Sequence, residues 1–188
     1  MKKLLITGFD PFGGNDKNPA QLAVEQLPDT VGSFALRKCI VPTVFGLASR
    51  ITLEEAEQFS PDVILCIGVA AGRDAVTPER IAVNIRDARI PDNQGNQPTG
   101  SPVVENAPAA YFATVPIENM TQAITARNIP ARISNTAGTF VCNDLFYALS
   151  HSFANTATRI GFIHVPDLDA LELPQIVKAI TACILACE

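Results

Sequence analysis

The sequence contains no tryptophan and only two tyrosines, two histidines and two methionines in 188 residues. With two histidines and no CxxC pair, no zinc pattern can be built, so no metal is expected. No apolar run approaches the ~20 residues that a membrane span needs. The start, Met1-Lys2-Lys3-Leu4-Leu5-Ile6, has too short an apolar stretch for a secretory leader. Charge is sparse, at 18% of residues, and sums to -5. With no basic stripe, nucleic acid is not expected as a partner. The five cysteines are odd in number and lie at 39, 66, 142, 183 and 187. A disulfide framework is not expected in a chain this long, which can bury an ordinary core. What is abundant is apolar surface, with 47% hydrophobic residues and a mean hydropathy of +0.20. The expectation is a cytoplasmic protein with no membrane partner, whose surplus apolar content points to a subunit interface.

Apolar runs alternate with helical patterns along the chain. Strands are expected at residues 3–6, 34–41, 63–67 and 159–164, each a run rich in Ile, Leu, Val or Phe. Helices are expected at 20–26, 46–58, 116–127 and 172–186, with another starting near Cys142. Further strands are expected at 80–85, near 110–114 and near 131–135. Residues 88–98 read as a long Pro/Asn/Gly-rich loop, of a length that is usually functional or disordered. This order predicts an α/β fold, a single three-layer α/β/α domain over 1–188 with a twisted, mostly parallel mixed sheet.

Cys142 follows Ser134-Asn135-Thr136-Ala137-Gly138 and precedes Leu145-Phe146-Tyr147-Ala148-Leu149. Gly138 permits a sharp turn, which puts the thiol at a helix N-terminus. Positive partial charge there favours thiolate, and free N–H groups could hold an oxyanion. A buried core cysteine is the competing reading. A thiol nucleophile needs a base. His151 would lie roughly 13 Å along the same helix, at ~1.5 Å per residue, and suits a capping or surface role. His164 ends an apolar strand, and ligand sites gather at the carboxyl ends of strands in open α/β sheets. A hydrogen-bonded core histidine is the alternative. The imidazole needs an orienting acid, and Glu79, Asp74 and Asp144 all qualify on sequence. Cys39 and Cys66 read as core residues, and Cys183 and Cys187 as packing residues of the last helix. The loop Gly8-Phe9-Asp10-Pro11-Phe12-Gly13-Gly14 fits neither common phosphate-binding glycine pattern. Its two phenylalanines either wall an apolar pocket or plug the loop onto the body.

These stretches occur as collinear blocks. They are Gly8 to Gly14 with Asn18-Pro19, Gly68 to Arg73, Glu79 to Asn84, Asp87 to Asn93 with Gly95 and Gln97-Pro98, Ser134 to Asn143, and Gly161 to Pro166. Together they resemble the type I pyroglutamyl peptidase (pyrrolidone-carboxylate peptidase) family of bacterial type, over nearly the whole chain. The resemblance implies a thiol peptidase that removes N-terminal pyroglutamate from peptides through a thioester, with no cofactor and as a homotetramer. It implies Cys142 as nucleophile, His164 as general base and acid, and Glu79 as the acid that orients it. Phe9 and Phe12 are implied near the pyrrolidone ring and Arg89 near the oxyanion, with Asn18 and Val69 also at the substrate. Val69 stands where several members carry a polar side chain, and 167–171 departs from the usual continuation. A related thiol amidase of different acyl specificity and a noncatalytic small-molecule binding module are the alternatives.

Overall fold

The computed structural model describes residues 1–188. The four long apolar runs form its centre as parallel strands: β1 (Lys2–Phe9), β3 (Phe34–Val41), β4 (Val63–Val69) and β8 (Arg159–Val165). Two-residue strands, β2 (Thr30–Val31) and β5 (Thr77–Pro78), add antiparallel edges, giving the order β2-β3-β1-β4-β8-β5. Helices α1 (Pro19–Gln26), α3 (Ile117–Thr125) and α5 (Leu173–Leu185) cover one face. Helices α2 (Leu47–Phe59) and α4 (Val141–Ser152) cover the other. Both faces are therefore buried, which explains why the strands are apolar throughout instead of alternating. Along β4, Val63, Leu65 and Ile67 enter one core while Ile64 and Cys66 enter the other. The expected layering and mostly parallel mixed sheet are found.

The connections leave β1 in opposite senses. One runs through α1 and β2 to β3, and the next carries β3 through α2 to β4 on the far side of β1. Between β1 and β4 the chain diverges, and a crevice opens at their carboxyl ends. Asn18 shapes its rim. Its side-chain oxygen caps α1 by accepting from the Ala20 N–H at 2.9 Å, and its amide donates to the Asp10 carbonyl at 3.0 Å. Pro19, at the first helical position, lacks a donor that would be unpaired there in any case.

Two expectations change. Residues 131–135 form no strand; they run as an irregular extra edge beyond β5, with isolated bridges from Val76 to Ala131 and from Glu79 to Ser134. Pro78 and Pro130 each lack an N–H, which interrupts a regular ladder there. The stretch 80–85 shortens to β6 (Ile81–Val83), paired antiparallel with β7 (Ala110–Phe112) apart from the main sheet.

The long middle loop is held by side chains. Asn84 accepts from the N–H groups of Val103 and Val104 and donates to the Val104 carbonyl. Buried Asp92 accepts from the N–H groups of Phe45, Gln94 and Asn96 and from the Asn96 amide, at 2.8–3.2 Å. Asn93 reaches across to Asp10 and to the Pro11 carbonyl, tying this loop to the one after β1. Burial alone would raise the Asp92 carboxyl, but the hydrogen bonds from Asn96, Phe45 and Gln94 outweigh it and hold it below the usual carboxylate value of 3.8. Its contribution to stability is thus complete above that value and lost as pH falls through the lower folded-state value. Asp92→Ala is expected to cost about 1–3 kcal/mol, read as a lowered urea midpoint at unchanged slope, and to weaken the acid dependence of stability.

Candidate active site

His164 and Glu79 meet because β5 pairs with the end of β8. Thr77 lies opposite His164, Pro78 opposite Ile163, and the Glu79 N–H donates to the Phe162 carbonyl at 2.9 Å. Glu79 then lies with its carboxylate fully buried and Oε1 at 2.7 Å from Nδ1 of His164. The same Oε1 accepts from Arg73 Nη1 at 2.7 Å. Oε2 makes no hydrogen bond within the chain. The Ser134 hydroxyl, close enough to favour the charged carboxylate, is turned to the Thr136 carbonyl at 3.0 Å. Nε2 of His164 has no partner within the chain and is free to take a proton.

Cys142 is the second residue of α4, after a turn in which Gly138 has φ +79°. No side chain caps this end, so the first-turn N–H groups stay available to an anion. Across β4 and β8, Gly68 is the register partner of His164. A Cβ on Gly68 would lie 3.0 Å from Sγ of Cys142 and 2.9 Å from the Phe162 ring. The sulfur therefore occupies the space that any larger residue at 68 would fill, over the strand position that pairs with His164. The helix that carries Cys142 is fixed by the next two residues. Asn143 accepts from the Val83 N–H and donates to the Val83 and Ile85 carbonyls at 2.8–3.0 Å. Buried Asp144 accepts from Arg86 Nε at 2.5 Å and from the Gly46 N–H at 2.8 Å.

Burial pushes the Cys142 thiol up to about 12, with Glu79 and Cys66 adding and Arg73 and its own N–H opposing. Burial also lowers His164, which Glu79 resists and Arg73 reinforces. For Glu79, burial opposes the charge, but the bonds from His164 and Arg73, with the Ser134 hydroxyl nearby, hold it below the usual range. Around neutral pH these directions favour the neutral thiol at half-buried Cys142, the neutral imidazole and the ionised carboxylate. The helix end does not by itself make the thiolate that its position suggests, because desolvation is the larger effect.

The crevice between β1 and β4 holds a cleft of about 400 Å³ lined by Phe12, Asn18, Val69, Ala71 and Asp167–Asp169, among others. Phe12 and Val69 are half-buried at its wall, and the Phe12 ring centroid is 6.0 Å from that of Phe140. Asn18 borders it with both ends of its amide engaged in the chain. Phe9 points elsewhere: it is 2% exposed, and its ring packs 6.4 Å from Phe162, which in turn packs 4.8 Å from His164. Phe9 thus supports the histidine from behind, and only Phe12 faces the cleft. Arg89 is exposed and makes no hydrogen bond or ion pair. Its loop reaches the base of α4 through the Asp87 N–H, which donates to the Thr139 carbonyl.

Of the three acids open on sequence, only Glu79 reaches His164; Asp74 pairs with exposed Arg132, and Asp144 with Arg86. His151 is a packed residue instead of a cap: it stacks on Tyr147, and Nδ1 is 2.9 Å from the Tyr111 hydroxyl. Cys66, Cys183 and Cys187 are buried as expected, while Cys39 is only half-buried. Sequence reasoning missed Phe140, Arg73 and Asn143 as parts of the site. Phe140 could have been found as an aromatic two residues before the nucleophile. Arg73 carried no signal beyond its place after a glycine-rich turn.

A family model described as pyroglutamyl peptidase matches residues 2–184. The chain is 45% identical to a pyrrolidone-carboxylate peptidase of Streptococcus pyogenes serotype M4, over 98% of this chain and 91% of the relative. It is similar to the crystal structure of Bacillus amyloliquefaciens pyroglutamyl peptidase I, with 41% identity and a TM-score of 0.95, covering 100% of this chain and 97% of that one. Against the pyrrolidone carboxyl peptidase from Thermococcus litoralis the values are 35% and 0.92, with 100% and 93% covered.

Two measurements bear on this geometry. Thiolate absorbance near 240 nm, compared between wild type and Cys142→Ala, is expected to show no Cys142 thiolate at about pH 7; a thiolate formed below pH ~6 would contradict the neutral pair. Gly68→Ala should leave the fold intact yet displace the sulfur. Turnover is expected to fall about 100-fold, as for a misplacement near 1 Å at a reacting atom, while circular dichroism is unchanged.

Proposed function

The chain belongs to the pyroglutamyl peptidase family, and we propose that Cys142, His164 and Glu79 carry its reaction. It is a cysteine peptidase that hydrolyses the amide bond after an N-terminal pyroglutamyl residue. The Cys142 sulfur attacks the carbonyl carbon of that bond as Nε2 of His164 takes the thiol proton. The resulting oxyanion faces the uncapped first turn of α4, and the family resemblance assigns exposed Arg89 to it as a cation. Collapse of the tetrahedral adduct breaks the C–N bond, and His164 gives its proton to the leaving amine. Water, deprotonated by His164, then cleaves the thioester, releasing pyroglutamate and restoring the thiol. Glu79 holds Nδ1–H of His164 throughout, so the proton traffic stays on Nε2. The observation that carries this reading is the 2.7 Å bond from Glu79 to His164 beside a thiol seated on Gly68.

Substrate choice follows from the lining of the cleft. A pyroglutamyl end is a neutral lactam with no free amine, so an ionic site would gain nothing from it. Phe12 and Val69 give the cleft an apolar wall that suits a small uncharged ring, beside a rim that carries Lys17, Asp167 and Asp169, and Asn18 holds the loop that carries Phe12. Proline lacks the lactam carbonyl and would leave a matched donor unpaired. The same reading takes 1–188 as one peptidase domain, assembled as a homotetramer in the cytoplasm and acting on pyroglutamyl peptides. Exposed Ile90, Phe112 and Leu168 support assembly, and five unpaired cysteines suit a reducing compartment. No helix is long and apolar enough to cross a membrane.

Release of a fluorescent amine from a pyroglutamyl amide, beside a prolyl amide, tests the assignment. Wild type should turn over the first alone, and prior iodoacetamide should abolish it. Cys142→Ser should lose all measurable activity, and Glu79→Gln should lose about 100- to 10,000-fold. Unchanged turnover in either folded variant would remove that residue from the mechanism.

A further inference from the structure

Arg73 is not accounted for by the three-residue reading, yet it is as close to Glu79 as His164 is. We propose that Arg73 is a positioning residue for this reaction: by sharing the Glu79 oxygen that orients His164, it sets how strongly that carboxylate pulls on the imidazole. The inference rests on the proposed roles of Cys142, His164 and Glu79.

The guanidinium is built in. Nη1 donates to Glu79 Oε1 at 2.7 Å and to Thr77 Oγ1 at 2.5 Å, and Nη2 donates to the Thr136 carbonyl at 3.2 Å. It thus spans the turn after β4, strand β5 and the segment that leads to Cys142. Its side chain is three-quarters buried, and that of Glu79 wholly so, so solvent screens the pair weakly. A buried carboxylate whose only partner is an imidazole strongly favours imidazolium, which cannot accept the thiol proton. Here the charge of Arg73 cancels that of Glu79 before His164 is counted. The imidazole keeps its orienting bond without being held charged.

Few other charges face His164. Glu79 comes from the end of β5, Arg73 from the turn after β4, Cys142 from α4 and Cys66 from β4, the two thiols being neutral. Asp74 turns to Arg132, Arg80 to Asn135 and Glu118, and Asp144 to Arg86. Burial lowers His164, and Arg73 lowers it further against the opposing pull of Glu79. Removing the Arg73 charge should therefore raise it.

The test is the pH profile of kcat/KM on a pyroglutamyl amide. Its acidic limb reports deprotonation of His164 in the free enzyme. Arg73→Gln keeps a donor and removes the charge. Its limb is expected about one pH unit higher, so that roughly tenfold is lost on that limb and most of it regained at about pH 9. Arg73→Lys keeps the charge, and its limb should stay near that of wild type. In a Glu79→Gln background, Arg73→Gln should move the limb less, because only the direct repulsion between guanidinium and imidazolium is then removed. An equal loss at every pH with the limb unmoved, or an equal shift in Arg73→Lys, would overturn the proposal. If Arg73→Gln does not fold, the neutral Arg73→Met takes its place: a His164 nitrogen-15 titration unmoved from wild type overturns the proposal, and one moved upward supports it. Inactive wild type would instead strike the peptidase reading itself.

Discussion

The site is organised around a carboxylate that water cannot reach. Glu79 is fully buried, and an ionised group in that position must find its partners within the protein. Its two donors are Arg73, on the turn after β4, and His164, on β8, and β5 sets where the carboxylate lies between them. Only the antiparallel pairing of a two-residue strand with the end of β8 brings them together. That edge strand is too short to stabilise the sheet appreciably, and its effect is to deliver Glu79. The irregular edge at 131–135 covers it from outside, and the same segment continues through Gly138 into the nucleophile's helix. Glu79, His164 and the segment that leads to Cys142 are thus linked through the backbone hydrogen bonds of this edge and the hydroxyl-held turn that follows.

The thiol is placed by a complementary rule, close approach. Gly68 ends a strand that is otherwise Val, Ile, Leu and Cys, and its missing Cβ is where the sulfur sits. Gly68 and His164 are register partners in a parallel ladder, so the sulfur lies over the strand position that pairs with the histidine. The position then depends on how firmly α4 is held. Asn143 and Asp144 supply that, each buried and each bonded to backbone of a different segment. The divergence of connections between β1 and β4 leaves the space in front for a ring bounded by Phe12 and Val69.

Much of this was legible in the sequence, for identifiable reasons. The four central strands are continuous apolar runs because both faces are buried, and that pattern needs no tertiary knowledge. Cys142 and His164 were readable because each ends or begins an element at the sheet's carboxyl edge. The choice of Glu79 over Asp74 and Asp144 was not readable from local pattern and came from the family resemblance, since it depends on β5, a strand too short to leave a period. The strand expected at 131–135 failed where two prolines remove ladder donors. Phe9 and Phe12 look equivalent in the loop, but β1 extends through Phe9, and strand alternation turns it into the core beside Phe162. Arg73 lies in a turn with no periodicity, and its importance arises from a contact with a residue six positions on, which depends on how the turn folds back.

The resting charge state suits the substrate that the family handles. A thiolate–imidazolium pair would be an ion pair to desolvate when a neutral lactam covers it, and much of the binding energy would go to that. With the thiol raised to about 12 and the imidazole lowered, no separated charge is present until attack begins. In the proposed reaction, charge then develops in two places at once. The negative part appears on the carbonyl oxygen, toward the uncapped end of α4. The positive part appears on His164, where Glu79 is already ionised. Stabilisation is therefore confined to the transition state, which is where it accelerates the reaction. Arg73 fits the same logic. Left alone with His164, Glu79 would draw the imidazolium into the ground state. Shared with a fixed guanidinium, it stabilises that charge only when the thiol proton arrives.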